Sequence, residues 1–382
     1  MLVPGLARGG MTRAYSLASA LHVLGVEVEI VGALARGEDV YPAPPREVQV
    51  TPVSASSLER RLRETRRAAR GDILYAIKPR TTSFGLALLC RAGRRVFVDV
   101  DDRETSFAPA GDDDLRHAVP WPRRTLRGAR RRVRRMRNPD DAFYTHLVER
   151  LTGRADVVTS NTRALCERFG ATYVPSAKDT ARFDPALFDA DACRRALGLD
   201  GVRVIMFPGT LRPHKGVEDA LTALELLDWP DARLVLVGGR EVGDRHARAL
   251  GERSAARVVR LGRFGADEMP AVVAAAHVVV VPQRDTPSAR AQFPMKLTDA
   301  MAMAKPIVST RVGDIPSVLD GAAHLVAPSS PPEIARALES VFTDPAGAAR
   351  LGAEARRRCE ARFSTVAVAE ILRGILDTHA RS

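Results

Sequence analysis

Between residues 202 and 327 the chain repeats one pattern: a short, nearly unbroken Val/Ile/Leu run, a break, then a segment with helical spacing. The apolar runs predict strands at Val202–Phe207, Arg233–Val237, Val258–Leu261, His277–Val281, Pro306–Ser309 and Ala323–Ala327. Helices are predicted at Val217–Leu227, Asp244–Gly251, Asp267–Ala275, Met295–Met303 and Pro332–Phe342. A strand with one wet face alternates polar and apolar residues. Strands without that alternation are buried on both faces. Strands alternating with helices indicate a parallel sheet. A doubly wound sheet of this kind presents its ligand crevice at the carboxyl ends of its strands.

The first half carries the same rhythm less clearly. Leu2-Val3 precedes a glycine-containing stretch with Gly5, Gly9 and Gly10. Tyr15, Leu17, Leu21 and Leu24 then recur at helical spacing, up to Gly25. Strands are predicted at Val28–Val31, Val48–Val53, Ile73–Ile77, Val96–Val100 and Asp156–Ser160. A chain of 382 residues is long for one core and suits two domains. The expectation is an α/β chain with two Rossmann-like, doubly wound domains: residues 1–185, then residues 186–361. Residues 362–382 are expected to form a helix packing back towards the first domain. Phe183–Asp200, with Pro185 and Gly198, reads as the linker. Only Leu2-Val3 precedes the glycines, so a start upstream of Met1 stays open.

Several classes are excluded or disfavoured. No run of 18 apolar residues suggests a membrane-spanning helix. The first residues lack the basic and apolar regions of a secretory signal, so a cytoplasmic location is expected. Cys90, Cys166, Cys193 and Cys359 are widely spaced, which argues against a disulfide scaffold or zinc ribbon. The formal net charge is +12, but nine arginines lie within residues 121–137. That run reads as a solvated helix face, as a contact with anionic lipid headgroups at the inner face of a membrane, or as a nucleic-acid patch. Few aromatics accompany it and no nucleic-acid motif is present, so the last reading is disfavoured.

Only five of the 58 basic residues are lysines, which makes each one conspicuous. Lys215 lies in Phe207-Pro-Gly-Thr-Leu-Arg-Pro-His-Lys-Gly216, directly after a predicted strand and before a predicted helix. Gly209 permits a tight turn and close backbone approach. The helix offers free N–H groups and a positive dipole end to an anion, and Arg212 and Lys215 add full charges. Lys296 and Asp299 are three residues apart and share a helix face. A carboxylate there can accept ribose hydroxyls, and a lysine one turn earlier can sit beside a pyrophosphate. Thr310-Arg-Val-Gly-Asp-Ile-Pro316 is another glycine-containing turn after a strand. Taken singly, these pieces also suit ordinary turns and a surface ion pair.

Together they resemble the family 4 (group 1) retaining glycosyltransferases of GT-B fold. Gly209–Gly216 is similar to that family's Gly-Arg-Leu-x-x-x-Lys-Gly diphosphate loop, with Lys215 matching, Thr210 at the usual arginine and Arg212 as its substitute. Of the family's two glutamates eight apart, the second falls on Asp299 and the first on Ala291. Thr310–Pro316 resembles its Gly-Gly-x-Pro-Glu turn, with Asp314 at the second glycine and Ser317 at the acid. Gly9-Gly10 resembles its N-terminal glycine loop, and Val174–Phe183 its inter-domain Pro-Asn-Gly-Val-Asp-x-x-x-Phe segment. The resemblance implies transfer of a sugar from a UDP-, GDP- or dTDP-linked donor to a small-molecule or lipid-linked acceptor, without metal or cofactor. It implies donor contacts from Gly9, Gly10, Gly209, Thr210, Arg212, Lys215, Arg263, Lys296, Leu297, Asp299, Gly313 and Asp314.

On the acceptor side, Lys78, Arg80 and Ser83 follow one strand, and Asp101, Asp102 and Glu104 end another. The expectation is that Lys78, Arg80 and Ser83 face the crevice. Asp101 or Asp102 would orient the acceptor hydroxyl, and the acidic cluster would favour a cationic acceptor. A solvated acidic turn is the competing reading. Catalytic roles are assigned to Lys215, Arg212 and Asp102. A non-catalytic sugar-nucleotide binder and a nucleotide-sugar epimerase remain as alternatives.

Overall fold

The computed structural model describes residues 1–7, 11–102, 104, 138–238 and 256–379. The chain forms two compact units: Met1–Pro175 with Val368–Ser382, and Ser176–Ala367. The sequence-predicted helix at Asp244–Gly251, Gly9-Gly10 and the arginine run 121–137 lie outside the described residues.

Unit 1 holds β1 (Leu2–Val3), β2 (Glu29–Leu34), β3 (Gln49–Ser54), β4 (Ile73–Ile77), β5 (Arg95–Val100), β6 (Val157–Ser160) and β7 (Thr172–Tyr173). They form one sheet in the order β3-β2-β1-β4-β5-β6-β7, with every pairing parallel. A buried ion pair ties its layers. Arg13, on the helix Met11–Val23, donates to both carboxylate oxygens of Asp99 at 2.9 and 2.8 Å. It also donates to the carbonyls of Val174 and Pro175. Thr159 adds a third hydrogen bond to Asp99. A buried charge survives only when its hydrogen bonds are replaced in this way.

Unit 2 holds β8 (Arg203–Pro208), β9 (Ala232–Val237), β10 (Val258–Leu261), β11 (Val278–Val281), β12 (Ile307–Thr310) and β13 (His324–Val326). Their order is β10-β9-β8-β11-β12-β13, again wholly parallel. Successive residues serve two cores, as the twofold period of a strand requires. Val204 and Met206 of β8 enter one core with Val279 and Val281 of β11. Ile205 and Phe207 enter the other with Val278 and Val280. That division explains why these strands read as unbroken apolar runs. The order reverses between β8 and β11, which is the switch point where such sheets bind ligands.

The segment Phe183–Asp200 is not a bare linker. It contains the turn Pro185–Leu187 and the helix Ala190–Ala196, whose N-terminus is capped by the Asp189 side chain. Phe183 and Leu199 are buried in the unit 2 core, so apolar burial overrides the Pro and Gly punctuation. The chain also forms a long helix that was not predicted, Pro345–Phe363, and a second, Thr365–His379, within the segment 362–382 where a helix was expected.

Candidate functional site

In unit 2 the loops after β8 and β11 lock together at the switch point. Gly216 has φ +67°, and a Cβ there would lie 1.9 Å from the carbonyl oxygen of Pro282. Only glycine fits. The N–H of Arg284 donates to the carbonyl of His214 at 3.0 Å. The Arg284 guanidinium grips Asp219, in the first turn of the helix Val217–Leu226, with bonds of 2.9 and 2.7 Å. These contacts fix Lys215, which is buried and donates through Nζ to Oε1 of Gln292.

Lys296 opens the helix Met295–Ala302 and is only 8% exposed. Its Nζ lies 4.0 Å from the centre of the Phe207 ring. A Cβ on Gly209 would approach its Cε to 3.0 Å, so the glycine backbone forms one wall of the lysine's slot. Burial first, and the neighbouring positive charge of Lys215 second, hold the Lys296 pKa well below that of an ordinary lysine. Among the described residues no carboxylate lies within ion-pairing distance of this ammonium. Asp299, on the same helix, gives Oδ1 to Lys178 instead. The Lys178 ammonium also sits 3.9 Å from the centre of the Phe183 ring.

The structure therefore gathers Gly209, Lys215 and Lys296 at one point. Gly313 and Asp314 follow β12, which β11 separates from β8. Gly313 has φ +56°, and its position for a Cβ faces the Arg290 carbonyl at 3.1 Å. Thr210 and Arg212 are exposed on the β8 loop, and Arg263 is exposed after β10, the edge strand. Leu297 does not fit a donor contact. Its side chain belongs to the core, and its N–H donates to the Pro294 carbonyl. Asp299, expected to accept ribose hydroxyls, already accepts a hydrogen bond from Lys178 on Oδ1. His214 is pushed down to about 4 by burial and by Lys215, so it is neutral at pH 7. Among the described residues its buried Nε2 has no hydrogen-bond partner. Lys178, Gln292 and His214 were not among the expected site residues.

In unit 1 the expected acceptor residues mostly bind one another. Lys78 takes a positive φ of 75° and is 8% exposed. Its Nζ lies 3.2, 3.0 and 2.6 Å from Asp101, Asp102 and Glu104. Arg80 donates to the same Glu104 at 2.8 Å. Ser83 is fully buried and donates to the Lys78 carbonyl at 2.7 Å, so it fixes the turn and is not free for an acceptor. Burial opposes the Lys78 charge, but the three acids outweigh it and hold its pKa well above the usual value. Burial pushes Asp101 up to about 7, with Lys78 opposing the shift and Asp102 adding to it. The three carboxylates come within 4.8 Å of one another, as a metal would require. The chain's own ammonium lies in ion-pairing range of all three, so part of the charge that a cationic acceptor was expected to meet is already paired.

Unit 1 also contains a cavity of about 990 Å³ at the carboxyl ends of β1 to β4. Lys78 and Arg80 line one side, and Ser56, Ser57 and Arg61 another.

Residues 202–344 match the family model of group 1 glycosyl transferases. A D-inositol 3-phosphate glycosyltransferase of Corynebacterium jeikeium is 32% identical over 248 residues, covering 59% of this chain and 58% of that protein. An alpha-D-kanosaminyltransferase of Streptomyces kanamyceticus is 26% identical over 187 residues, covering 48% and 47%. The chain thus spans about half the length of such curated relatives. The fold is GT-B. Sucrose-phosphate synthase from Thermosynechococcus elongatus superposes with a TM-score of 0.74 at 18% identity, over 100% of this chain and 99% of that one. HepE of Anabaena, solved in complex with UDP-glucose, gives 0.71 at 17% identity over 99% and 98%. Among the described residues no helix is long and apolar enough to cross a membrane.

Proposed function

We propose that this protein is a retaining glycosyltransferase that moves a sugar from a nucleotide-diphosphate donor to an acceptor hydroxyl. The observation that carries the reading is the buried Lys296 ammonium, placed beside Lys215 at the β8/β11 switch point with no carboxylate in pairing range. A buried cation whose charge is disfavoured by its own protein gains most from an incoming dianion. The family match over residues 202–344 and a fold neighbour solved with UDP-glucose support a nucleotide-sugar as that dianion.

In the reaction the bond from the anomeric carbon to the diphosphate oxygen breaks, and a bond to the acceptor oxygen forms. Negative charge grows on the departing diphosphate. Lys215 and Lys296 meet that charge where it develops, so they lower the barrier by more than they strengthen ground-state binding. The acceptor proton passes to the leaving phosphate oxygen. His214, neutral at pH 7, does not compete for it. Asp299, oriented by Lys178, accepts a ribose hydroxyl. The two lysines supply the charge that a divalent cation supplies elsewhere, so activity is expected to survive EDTA. Unit 1 receives the acceptor.

The test is sugar release and transfer from UDP-, GDP- and dTDP-sugars by the purified protein. Lys215→Ala should lower transfer about 100-fold or more. Near-normal turnover in that variant would remove Lys215 from the mechanism. Donor consumption that needs no acceptor would favour an epimerase, and nucleotide-sugar binding without turnover a non-catalytic binder.

A further inference from the structure

We infer that the unit 1 cavity recognises an acceptor bearing an oxyanion, a phosphate or carboxylate group, through the guanidinium of Arg61 at the N-terminus of the helix Leu58–Ala68. The inference rests on the glycosyltransferase reading, because that reading makes this cavity the acceptor's.

The helix is almost entirely charged on its outer side. Arg60 pairs with Glu64, and Arg63 with Glu59. Arg61 differs from both. It shares an inward face with Thr65 and Ala69, at the i+4 and i+8 positions, and is only 9% exposed. It lines the cavity. Among the described residues its guanidinium has no hydrogen bond and no ion pair. A buried guanidinium left unbonded is costly, and five fixed donors need acceptors from somewhere. Among the described residues no side chain or carbonyl provides them. Asp140 favours the Arg61 charge from a distance, but directs its carboxylate to the N–H and hydroxyl of Thr82. Glu38 accepts from the N–H of Ala35. Lys78 and Arg80, which also line the cavity, are held by the acids behind them.

The helix adds a second source of positive potential at the same spot. Ser57 caps it by accepting from the N–H of Arg60 at 3.2 Å, and Ser56, Ser57 and Leu58 line the cavity. The dipole of an 11-residue helix favours an anion at this end. An arginine fork matches two oxygens of a phosphate or carboxylate in one plane. The cavity is therefore anion-selective, the reverse of what the three acids of β5 suggest when read without Lys78.

The test is calorimetric titration of the full protein with inorganic phosphate and, separately, with glucuronate, each in the presence of saturating UDP to fill the unit 2 site. UDP affinity is measured first, so failure of UDP to bind sinks the donor reading by itself. The expected result is binding of phosphate, glucuronate or both to the wild type. It should weaken by about 10-fold or more in Arg61→Gln, the loss of a charge-assisted hydrogen bond, with UDP affinity unchanged. Arg61→Lys keeps the charge without the fork and should fall between them. In ¹⁵N-arginine-labelled wild type, the Arg61 Nε–H resonance should move with the oxyanion that binds. Equal affinity in wild type and Arg61→Gln, or an Arg61 resonance that neither oxyanion moves, overturns the inference.

Discussion

Replacing Lys296 with methionine should raise stability and lower activity together. Methionine has nearly the length of lysine, so it can occupy the slot between Gly209 and the Phe207 ring without a cavity. The lost cation–π contact is worth about 0.5–2 kcal/mol, and the sulfur–aromatic contact that replaces it about 0.3–1.5 kcal/mol. These nearly cancel. What remains is removal of a buried charge that has no carboxylate in pairing range and is repelled by Lys215. Exchanging buried ionic groups for well-packed apolar ones typically stabilises by about 1–4 kcal/mol. For a unit of this size each kcal/mol raises Tm by about 2–4 °C. Transfer should fall about 100- to 1000-fold, or about 2.7–4 kcal/mol, as when one charge-stabilising donor is lost. Thermal denaturation with and without UDP, followed by sugar-transfer rates, reads both effects. A lowered Tm with unchanged UDP affinity would mean that Lys296 is a packing residue, and the cradle argument would fail.

Arg13→Met should destabilise unit 1 by about 3–5 kcal/mol in urea titration, because Asp99 would stay buried without its cation. An effect below about 1 kcal/mol would show that water replaces the guanidinium. Gly216→Ala should cost about 2–4 kcal/mol through its positive φ and the collision with Pro282, and should abolish UDP binding by displacing Lys215. Asp101 has a folded pKa of about 7 against about 3.9 unfolded, so the folded state retains a proton between those values. Its stabilisation is complete below about pH 4 and is lost as pH rises through about 7. The Tm difference between wild type and Asp101→Asn should therefore change progressively from pH 5 to pH 8, and a constant difference would place the Asp101 pKa elsewhere.

Unit 2 was legible because its physics is local. The four inner strands β8, β9, β11 and β12 are buried on both faces, and the predicted runs end within a residue or two of the observed strands. Lys215 and Lys296 were legible because lysine is scarce in an arginine-rich chain and both follow strands. Pairings across long separations left no local trace. Arg13 meets Asp99 across 86 residues, and Lys178 meets Asp299 across 121. Phe183–Asp200 misled for a related reason: proline and glycine mark a break in the backbone, but Phe183 and Leu199 determine where the segment packs.

The acids after β5 show how a count of charges of one sign leaves out the cations that pair with it. Asp101, Asp102 and Glu104 adjoin in sequence, so they read as a negative site. Their cations, Lys78 and Arg80, stand more than twenty residues earlier, just after the neighbouring strand of a parallel sheet. In parallel sheets the carboxyl ends of adjacent strands are separated by a whole crossover, so opposing charges at the crevice arise from distant sequence. The charge that remains for a ligand is set by whichever residue the internal pairs leave over. Among the described cations lining the unit 1 cavity, Arg61 is the one outside any ion pair, and it is one of five arginines in a helix that looks solvated from end to end. Only its register with Thr65 and Ala69 separates it from its neighbours.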